Sequence, residues 1–304
     1  MNMQTAIEIK GFTKSYDHKT NVLEDLNLSI PQGAIFSLLG PNGSGKTTTV
    51  RMLNGMLQPT AGTATVHDLD TATQVKEIHR LSGIMTETAQ PYGNLTADEN
   101  LLFFGRMHGL SVDEIRDRAE RLLGIFDLIG ARGQKVKTYS TGMKKRLMMA
   151  IVLLHRPKVL FLDEPTSGLD PEAARSVTDL VKKLAVEENV TIFLCTHQLS
   201  YAEEIGTLFG FLAKGRLIGF GTLPELLKQK RDAVRLQIFG EAIPETFASF
   251  SSPDGSYTIP IAENADAARI IAEIAAGGGR IYEARQIHMS LDDLYFAFQK
   301  DGRA

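Results

Sequence analysis

The spacing of hydrophobic residues along this chain changes several times, and each change marks an element. Across Ala6–Phe12 and Asn21–Ile30 apolar and polar residues alternate, the period of antiparallel strands with one face on a core, and Asp17–Lys19 is the turn between them. Ile35–Leu39 reads as a short apolar strand that runs straight into the glycine-rich stretch Gly40–Gly45. Val50, Met52, Leu53, Met56 and Leu57 then follow helical spacing, and Pro59 and Gly62 are expected to end that helix.

Residues 96 to 139 have a different character. Thr96 with Glu99 and Ser111 with Glu114 are capping-box starts, in which a hydroxyl and a carboxylate satisfy the orphan amides of a helix N-terminus. Ile115, Ala119, Leu122, Leu123 and Phe126 fall on one helical face, so the segment is expected to be an all-helical insert. Apolar strands return at Val159–Leu162 and Val190–Cys195, separated by a helix over Glu172–Glu187, and that alternation predicts a sheet covered on both faces. From about Pro224 the pattern changes again. Short strands at Arg235–Phe239, Tyr257–Ile261 and Arg280–Ile287 accompany helices at Ala265–Ala276 and Ser290–Gln299. Ser290 with Asp293 caps the last helix and Gly277–Gly279 stops the one before it, so residues 225–304 read as a small α/β satellite domain.

Composition narrows the class. The 304 residues are 43% hydrophobic and 23% charged, an ordinary globular balance, and the length allows one large domain or one plus a small satellite. A net charge of -3 supplies no general basic field, so no nucleic-acid partner is expected. The lone cysteine, Cys195, excludes an internal disulfide, fits a reducing compartment and reads as a small buried apolar group. Val159–Leu162 and Leu208–Ala213, the most apolar segments, fall far short of the roughly 18 to 20 residues needed to span a bilayer. Met1–Lys10 lacks the charged start and apolar block of a secretory signal. The expectation is a cytosolic chain that a partner holds if it works at a membrane.

The chemistry is concentrated in two segments. Gly40-Pro41-Asn42-Gly43-Ser44-Gly45-Lys46-Thr47 matches G-x-x-x-x-G-K-[ST] between a strand and a helix. Its glycines let backbone amides turn inward around a β-phosphate at the positive end of the following helix. Lys46 is placed to neutralise β- and γ-phosphates, and Thr47 to offer its hydroxyl to Mg²⁺. Val159–Glu164 is the second segment: a buried strand delivers Asp163 to a metal at its C-terminal end, with Glu164 next in line to reach an attacking water.

With three further motifs in order, residues 6 to 223 resemble the ATP-binding-cassette (ABC) ATPase family. Tyr139-Ser140-Thr141-Gly142-Met143 lies where that family has a signature usually reading Leu-Ser-Gly-Gly-Gln. Ser167-Gly168-Leu169-Asp170 matches the loop after the acidic pair, and His197 matches the switch histidine at a strand end. The resemblance implies an α/β P-loop NTPase fold: a mixed sheet core, an antiparallel β subdomain and an all-helical insert, with the ATP-binding domain over residues 1–224. It implies ATP and Mg²⁺ as cofactors and Glu164, His197 and Lys46 as the catalytic set. Nucleotide contacts fall to Tyr16, Gly40, Pro41, Asn42, Gly43, Ser44, Gly45, Lys46, Thr47 and Thr48, with Tyr16 stacking on adenine or simply closing a hairpin edge. Ser140, Thr141, Gly142 and Met143 are implied to grip the γ-phosphate held by the opposite subunit, with Asp170 touching that subunit's phosphate loop. Ser140 can also serve simply as a helix N-cap. The implied partners are a second ATP-binding subunit, identical or related, and a transmembrane permease at the cytoplasmic face of the membrane.

Two departures from the family pattern bear on this. Gly83-Ile84-Met85-Thr86-Glu87 aligns with a loop that normally carries a glutamine beside Mg²⁺; here Glu87 stands in that place, or Gln90 if the loop is shifted. In the signature Thr141 replaces a glycine and Met143 the glutamine, and Lys144-Lys145-Arg146 puts cations at a helix start, which the macrodipole disfavours. Either nearby acids or phosphate compensate them, or they form a solvated face. The run Tyr-Ser-x-Gly-Met-Lys-x-Arg-Leu resembles the subgroup that energises exporters of drugs, lipids or polysaccharides, as does the ending Ser290–Tyr295. Soluble ABC ATPases acting on ribosomes or DNA commonly carry two cassettes, whereas this chain has one phosphate loop, with Asp163 only 163 − 46 = 117 residues beyond Lys46. A P-loop kinase or GTPase would have no use for the serine-centred signature or His197.

Overall fold

The computed structural model describes residues 4–230, 233–261 and 264–301 of the chain. Met1–Met3, within the segment read for a secretory signal, lie outside the described residues. Two compact units are present, one up to Phe220 and one from Gly221.

The first unit opens with β1 (Thr5–Ser15) and β2 (Asn21–Pro31), paired antiparallel as their alternation predicts. Asp17 organises the turn, its Oδ1 accepting from the amides of Lys19 and Thr20 at 2.9 and 2.8 Å. Then come β3 (Ile35–Leu39) and α1 (Lys46–Leu53). That helix stops short of Met56 and Leu57, correcting the expectation that it runs on to Pro59. Asn54 caps it, and Gly55 takes a left-handed φ of 67°, where any Cβ would meet Val75.

β4 (Ala61–Val66), β5 (Leu69–Asp70), α2 (Val75–Leu81) and β6 (Ser82–Met85) follow, none of them evident in the hydrophobic pattern. β4 and β5 complete a four-stranded sheet in the order β2-β1-β4-β5. Residues 83–85, read from sequence as part of a loop, are strand, and the loop proper begins at Thr86.

The insert is helical as expected. α3 (Ala97–Met107) and α4 (Val112–Ile125) each carry a complete capping box, at Thr96/Glu99 and Ser111/Glu114. α5 (Thr141–Leu153) starts on Ser140, and β7 (Val159–Asp163), α6 (Pro171–Glu188), β8 (Thr191–Thr196), α7 (Leu199–Ile205), β9 (Leu208–Ala213) and β10 (Arg216–Gly221) complete the region.

The second sheet has the order β10-β9-β3-β8-β7-β6, and its β9-β3-β8-β7-β6 neighbours pair in parallel. β3, β7 and β8 are buried along their whole length. Their two-residue period deals side chains to two cores. Leu160, Leu162, Ile192 and Leu194 join the insert helices, while Val159, Phe161, Phe193 and Cys195 face the antiparallel sheet and α1. Because the strands are parallel, β3, β8 and β7 all end at one edge, and the register Leu39 to Thr196 and Asp163 to Cys195 aligns those ends. Ligands bind at this kind of edge in open α/β sheets.

The second unit contains α8 (Leu223–Lys228), β11 (Val234–Glu241), β12 (Tyr257–Pro260), α9 (Asn264–Ala276), β13 (Arg280–His288) and α10 (Leu291–Asp301). Its sheet is antiparallel in the order β12-β11-β13, with α9 supplying Ala267, Ile270 and Ile274 to the core over Leu236, Ile238 and Ile259. Ser290 and Asp293 bond reciprocally at the start of α10. Among the described residues no helix is long and apolar enough to cross a membrane.

Candidate functional site

The loop between β3 and α1 is shaped by its glycines. Gly45 has φ 112°, and a Cβ there would strike Leu23; at Gly40 a Cβ would strike the Leu212 carbonyl. With glycine at its N-cap, α1 begins with no side chain capping its first amides, which leaves those donors to a ligand. The Ser44 hydroxyl is buried inside the same loop without a hydrogen-bond partner among the described residues. Lys46 is only 7% exposed and folds back so that its ammonium donates to the carbonyls of Gly40 at 2.7 Å and Pro41 at 3.1 Å, leaving one of its three N–H groups.

Around this loop Val22, Asn42, Gly43, Gly45–Thr48, Glu87, Asp163 and Glu164 line one cleft. Thr47 donates its hydroxyl to Asp163 Oδ2 at 3.1 Å, so the two metal-ligand candidates from distant segments meet. Burial pushes the Asp163 carboxyl above its usual range, and the neighbouring Glu164 and Glu87 charges add to the rise, against Thr47 and Lys46. A hydroxyl and carboxylates are hard oxygen donors that suit a small divalent cation, and the crowding of negative charge around Asp163 is what such a cation relieves. Among the described residues no three carboxylate, histidine or cysteine groups form a complete metal cage, so an ion here needs further oxygens, such as phosphate. Glu87 lines the cleft and Gln90 does not, which favours the unshifted alignment of that loop.

Glu164 sits one residue past β7 with φ 51°, a left-handed conformation costing about 1–3 kcal/mol for a non-glycine residue. Its carboxylate is 5% exposed and accepts from the His197 amide at 2.8 Å, from His197 Nδ1 at 2.6 Å and from the Thr196 hydroxyl at 3.0 Å. A carboxylate offers about four acceptor positions, so one remains for another donor. An ionised carboxylate can only accept, so Nδ1 carries the proton in this contact. Thr196 was not singled out in the sequence, although it adjoins His197.

Tyr16 is 57% exposed at the mouth of the hairpin, its hydroxyl 3.4 Å from Thr48 Oγ1. It is therefore an exposed ring beside the phosphate loop, and the alternative of a hairpin-edge core residue does not hold.

The signature lies elsewhere. Ser140 caps α5 by accepting from the Met143 amide at 3.2 Å, and Ser140 itself is exposed. Neither it nor Gly142 lines the cleft around Lys46. Gly142 instead neighbours Leu169, in the loop whose Asp170 caps α6 by accepting from the Ala173 amide at 2.9 Å.

Two of the three cations after the signature, Lys145 and Arg146, bond to backbone carbonyls and do not form a solvated face. Lys145 donates to the Glu164 carbonyl at 3.1 Å and to the Ser167 carbonyl, and burial lowers its pKa while Glu87 and Glu164 oppose that. Arg146 donates to the Phe126 carbonyl at 3.0 Å. Lys145 thus ties the signature helix to the strained turn at Glu164, a role that charge counting in the sequence could not separate from exposure.

Comparison with known proteins agrees with this geometry. Residues 23–167 match the family model described as ABC transporter. The chain is 40% identical over 74% of its length, and 68% of the relative's, to the daunorubicin/doxorubicin resistance ATP-binding protein DrrA of Streptomyces peucetius. It is 32% identical over 98% of its length, and 97% of the relative's, to the daunorubicin resistance ATP-binding protein DrrA3 of Streptomyces coeruleorubidus. A solved dimeric ATP-binding cassette in a post-hydrolysis state, bound to ADP and Pi, superposes with a TM-score of 0.65 at 28% identity, covering 71% of this chain and 98% of that one. Such coverage at these identities, over a P-loop cleft faced by paired acids, places the chain in the ABC transporter family as an ATP-binding, ATP-hydrolysing subunit.

Proposed function

We propose that two copies of this chain, or one copy and a related cassette, close on two ATP molecules. Each ATP lies between the phosphate loop of one subunit and the signature of the other, and the closure drives a separate permease. The observation that carries this reading is the separation of donors: Lys46, Thr47, Asp163 and Glu164 share one cleft, while Ser140 and Gly142 lie outside it on the same chain. An anion gripped by both sets therefore needs two molecules.

On this reading residues 1–224 are the ATP-binding domain and 225–304 a satellite. The Gly40–Thr48 loop cradles the β-phosphate through its backbone N–H groups, Pro41 having none, and Tyr16 stacks on adenine. Thr47, Asp163 and Glu87 would hold Mg²⁺, which would supply charge neutralisation at the phosphates. Glu164 accepts a proton from water through its remaining acceptor position as the water oxygen attacks the γ-phosphorus in line and the bond to the β-phosphate oxygen breaks, giving ADP and phosphate. Lys46 stabilises charge on the transferring group, as do Ser140, Thr141, Gly142 and Met143 of the opposite signature, where the amides begin a helix. His197 orients Glu164 and reaches toward the γ-phosphate; Asp170 faces the opposite phosphate loop. Loss of the γ-phosphate removes the contact bridging the halves, and they part.

The drug-resistance relatives support export as the direction of transport, with the chain held at the cytoplasmic face of the membrane by its permease. The test is Glu164→Gln. With Mg-ATP this variant is expected to accumulate as a dimer by light scattering, while ATP hydrolysis falls by about 10³ or more. A variant that binds ATP and stays monomeric would overturn the two-molecule clamp.

A further inference from the structure

A cavity of about 190 Å³ lies where α4, the end of α5 and the end of α6 meet, and none of its lining residues lines the nucleotide cleft. Leu122, Leu153, Leu154, Leu180, Leu184 and Val190 give it an apolar wall. Its rim is charged: Arg118, Arg121, Arg156 and Lys183 with Asp117 and Glu188, and Glu114 and Glu187 pair with Arg118 and Lys183 from beside it. Arg118 is occupied, donating to the Leu154 carbonyl at 3.0 Å and to Glu114 at 3.2 Å, and Arg121 reaches Glu188 at 3.4 Å. Lys183 pairs with Glu187 at 3.7 Å. Arg156 makes no side-chain hydrogen bond or ion pair among the described residues. It sits just past α5 with φ 56°, its amide donating to the Leu153 carbonyl at 3.0 Å and its charge acting on Glu114 at a distance.

Size and charge together select the ligand. An apolar cavity of roughly 150 Å³ takes benzene, whereas drug-sized ligands need about 300 Å³ or more. The space therefore fits an apolar body of about six to eight carbons and excludes a bulky exported compound. The Arg156 guanidinium at the lip keeps its donor fork unbonded among the described residues, and a carboxylate matches that fork.

We propose that this cavity binds a small amphipathic carboxylate, with its chain among the leucines and its head on Arg156, and that the occupant regulates hydrolysis. The regulatory part follows from the helices. α5 and α6 present their C-terminal ends to the cavity, and their N-terminal ends begin on Ser140 and Asp170. An occupant wedged between these ends and α4 therefore acts on the placement of both loops without meeting the nucleotide. This second part rests on the proposed roles of Ser140 and Asp170; the binding does not.

Octanoate is the probe, titrated calorimetrically into the full chain. Saturable one-to-one binding is expected, weakened about tenfold or more by Arg156→Glu, which alters an exposed side chain and whose thermal melt is read alongside. Octylamine, with the same chain and the opposite charge, is expected not to bind. Equal affinity for octylamine, or octanoate binding indifferent to Arg156→Glu, overturns the site. Saturating octanoate is further expected to change the ATP turnover number of the wild-type chain at least about twofold and to leave Arg156→Glu unaffected at that concentration. Binding with unchanged turnover refutes the regulatory role alone.

Discussion

Helices α1 and α5 both begin where an anion can be held, and they begin in opposite ways. α1 starts after Gly45 at φ 112°, with no side-chain cap, inside a loop that buries Lys46 and faces Asp163 and Glu164. α5 starts after Ser140 in an extended conformation, with a side-chain cap on the Met143 amide, at an exposed position. The first start is unfinished as a helix terminus, so a phosphate completes it. The second is already satisfied by its own serine and stands free of the cleft. One terminus leaves its donors open; the other is capped and exposed and, on the proposed reading, meets a ligand held by a second molecule.

The largest effect should come from the buried start. Lys46→Ala removes the buried cation that opposes the rise at Asp163 in the cleft, and ATP hydrolysis is expected to fall by about 10³ or more, with ATP binding also weakened; steady-state turnover and nucleotide titration read both. Ser140→Ala should instead cost about 10- to 100-fold in turnover, with ATP affinity of the monomer unchanged. It also loses a cap worth about 1 kcal/mol, so Ser140→Asp separates the two effects. Aspartate keeps the cap and the thermal stability but sets a negative charge where the γ-phosphate belongs, and turnover should stay low. A Ser140→Asp enzyme working at the wild-type rate would erase the distinction between the two starts.

Lys145 is the link between them, since it joins α5 to the Glu164 turn. Lys145→Ala is expected to lower kcat about tenfold and leave KM for ATP nearly unchanged, because the positioning it supplies matters at the reacting water. Lys145→Arg, which keeps a donor, should restore part of the loss.

The smallest effect lies at the other end of α5. His155 Nε2 donates to the Ser82 carbonyl at 3.0 Å, and the ring stacks on His108 with ring centroids 3.8 Å apart. Burial, with the neighbouring His108 charge, lowers its pKa from 6.5 to about 4. The unfolded chain therefore takes up this proton below pH 6.5 while the folded chain refuses it until about pH 4, so stability is lost as pH falls through that window. Between pH 7 and 5.5 the loss should be about 1 kcal/mol, read as a denaturant midpoint shift that His155→Gln removes.

Legibility differed by kind of element. The capping boxes at Thr96 and Ser111 were readable because their partners lie three residues apart, and the central strands because burial on both faces demands continuous apolar runs. β4, β5 and α2 were not readable: β4 holds only Ala64 and Val66 inward, and α2 buries only Ile78, too few positions to establish a period. The early stop of α1 was likewise hidden, because Met56 and Leu57 continue the apolar spacing past a glycine whose conformation is set by the approach of Val75.

The phosphate loop, the acidic pair and their order were fixed by the sequence alone, since each depends on covalent neighbours: a glycine that must turn, a lysine beside it, a strand that must end in acids. The parallel register decided the rest. It brought Thr47 to Asp163 and His197 to Glu164, set Glu87 rather than Gln90 in the cleft, and kept Ser140 out of it. Those relations join residues up to 116 positions apart, and only the packing of strands against one another fixes such distances.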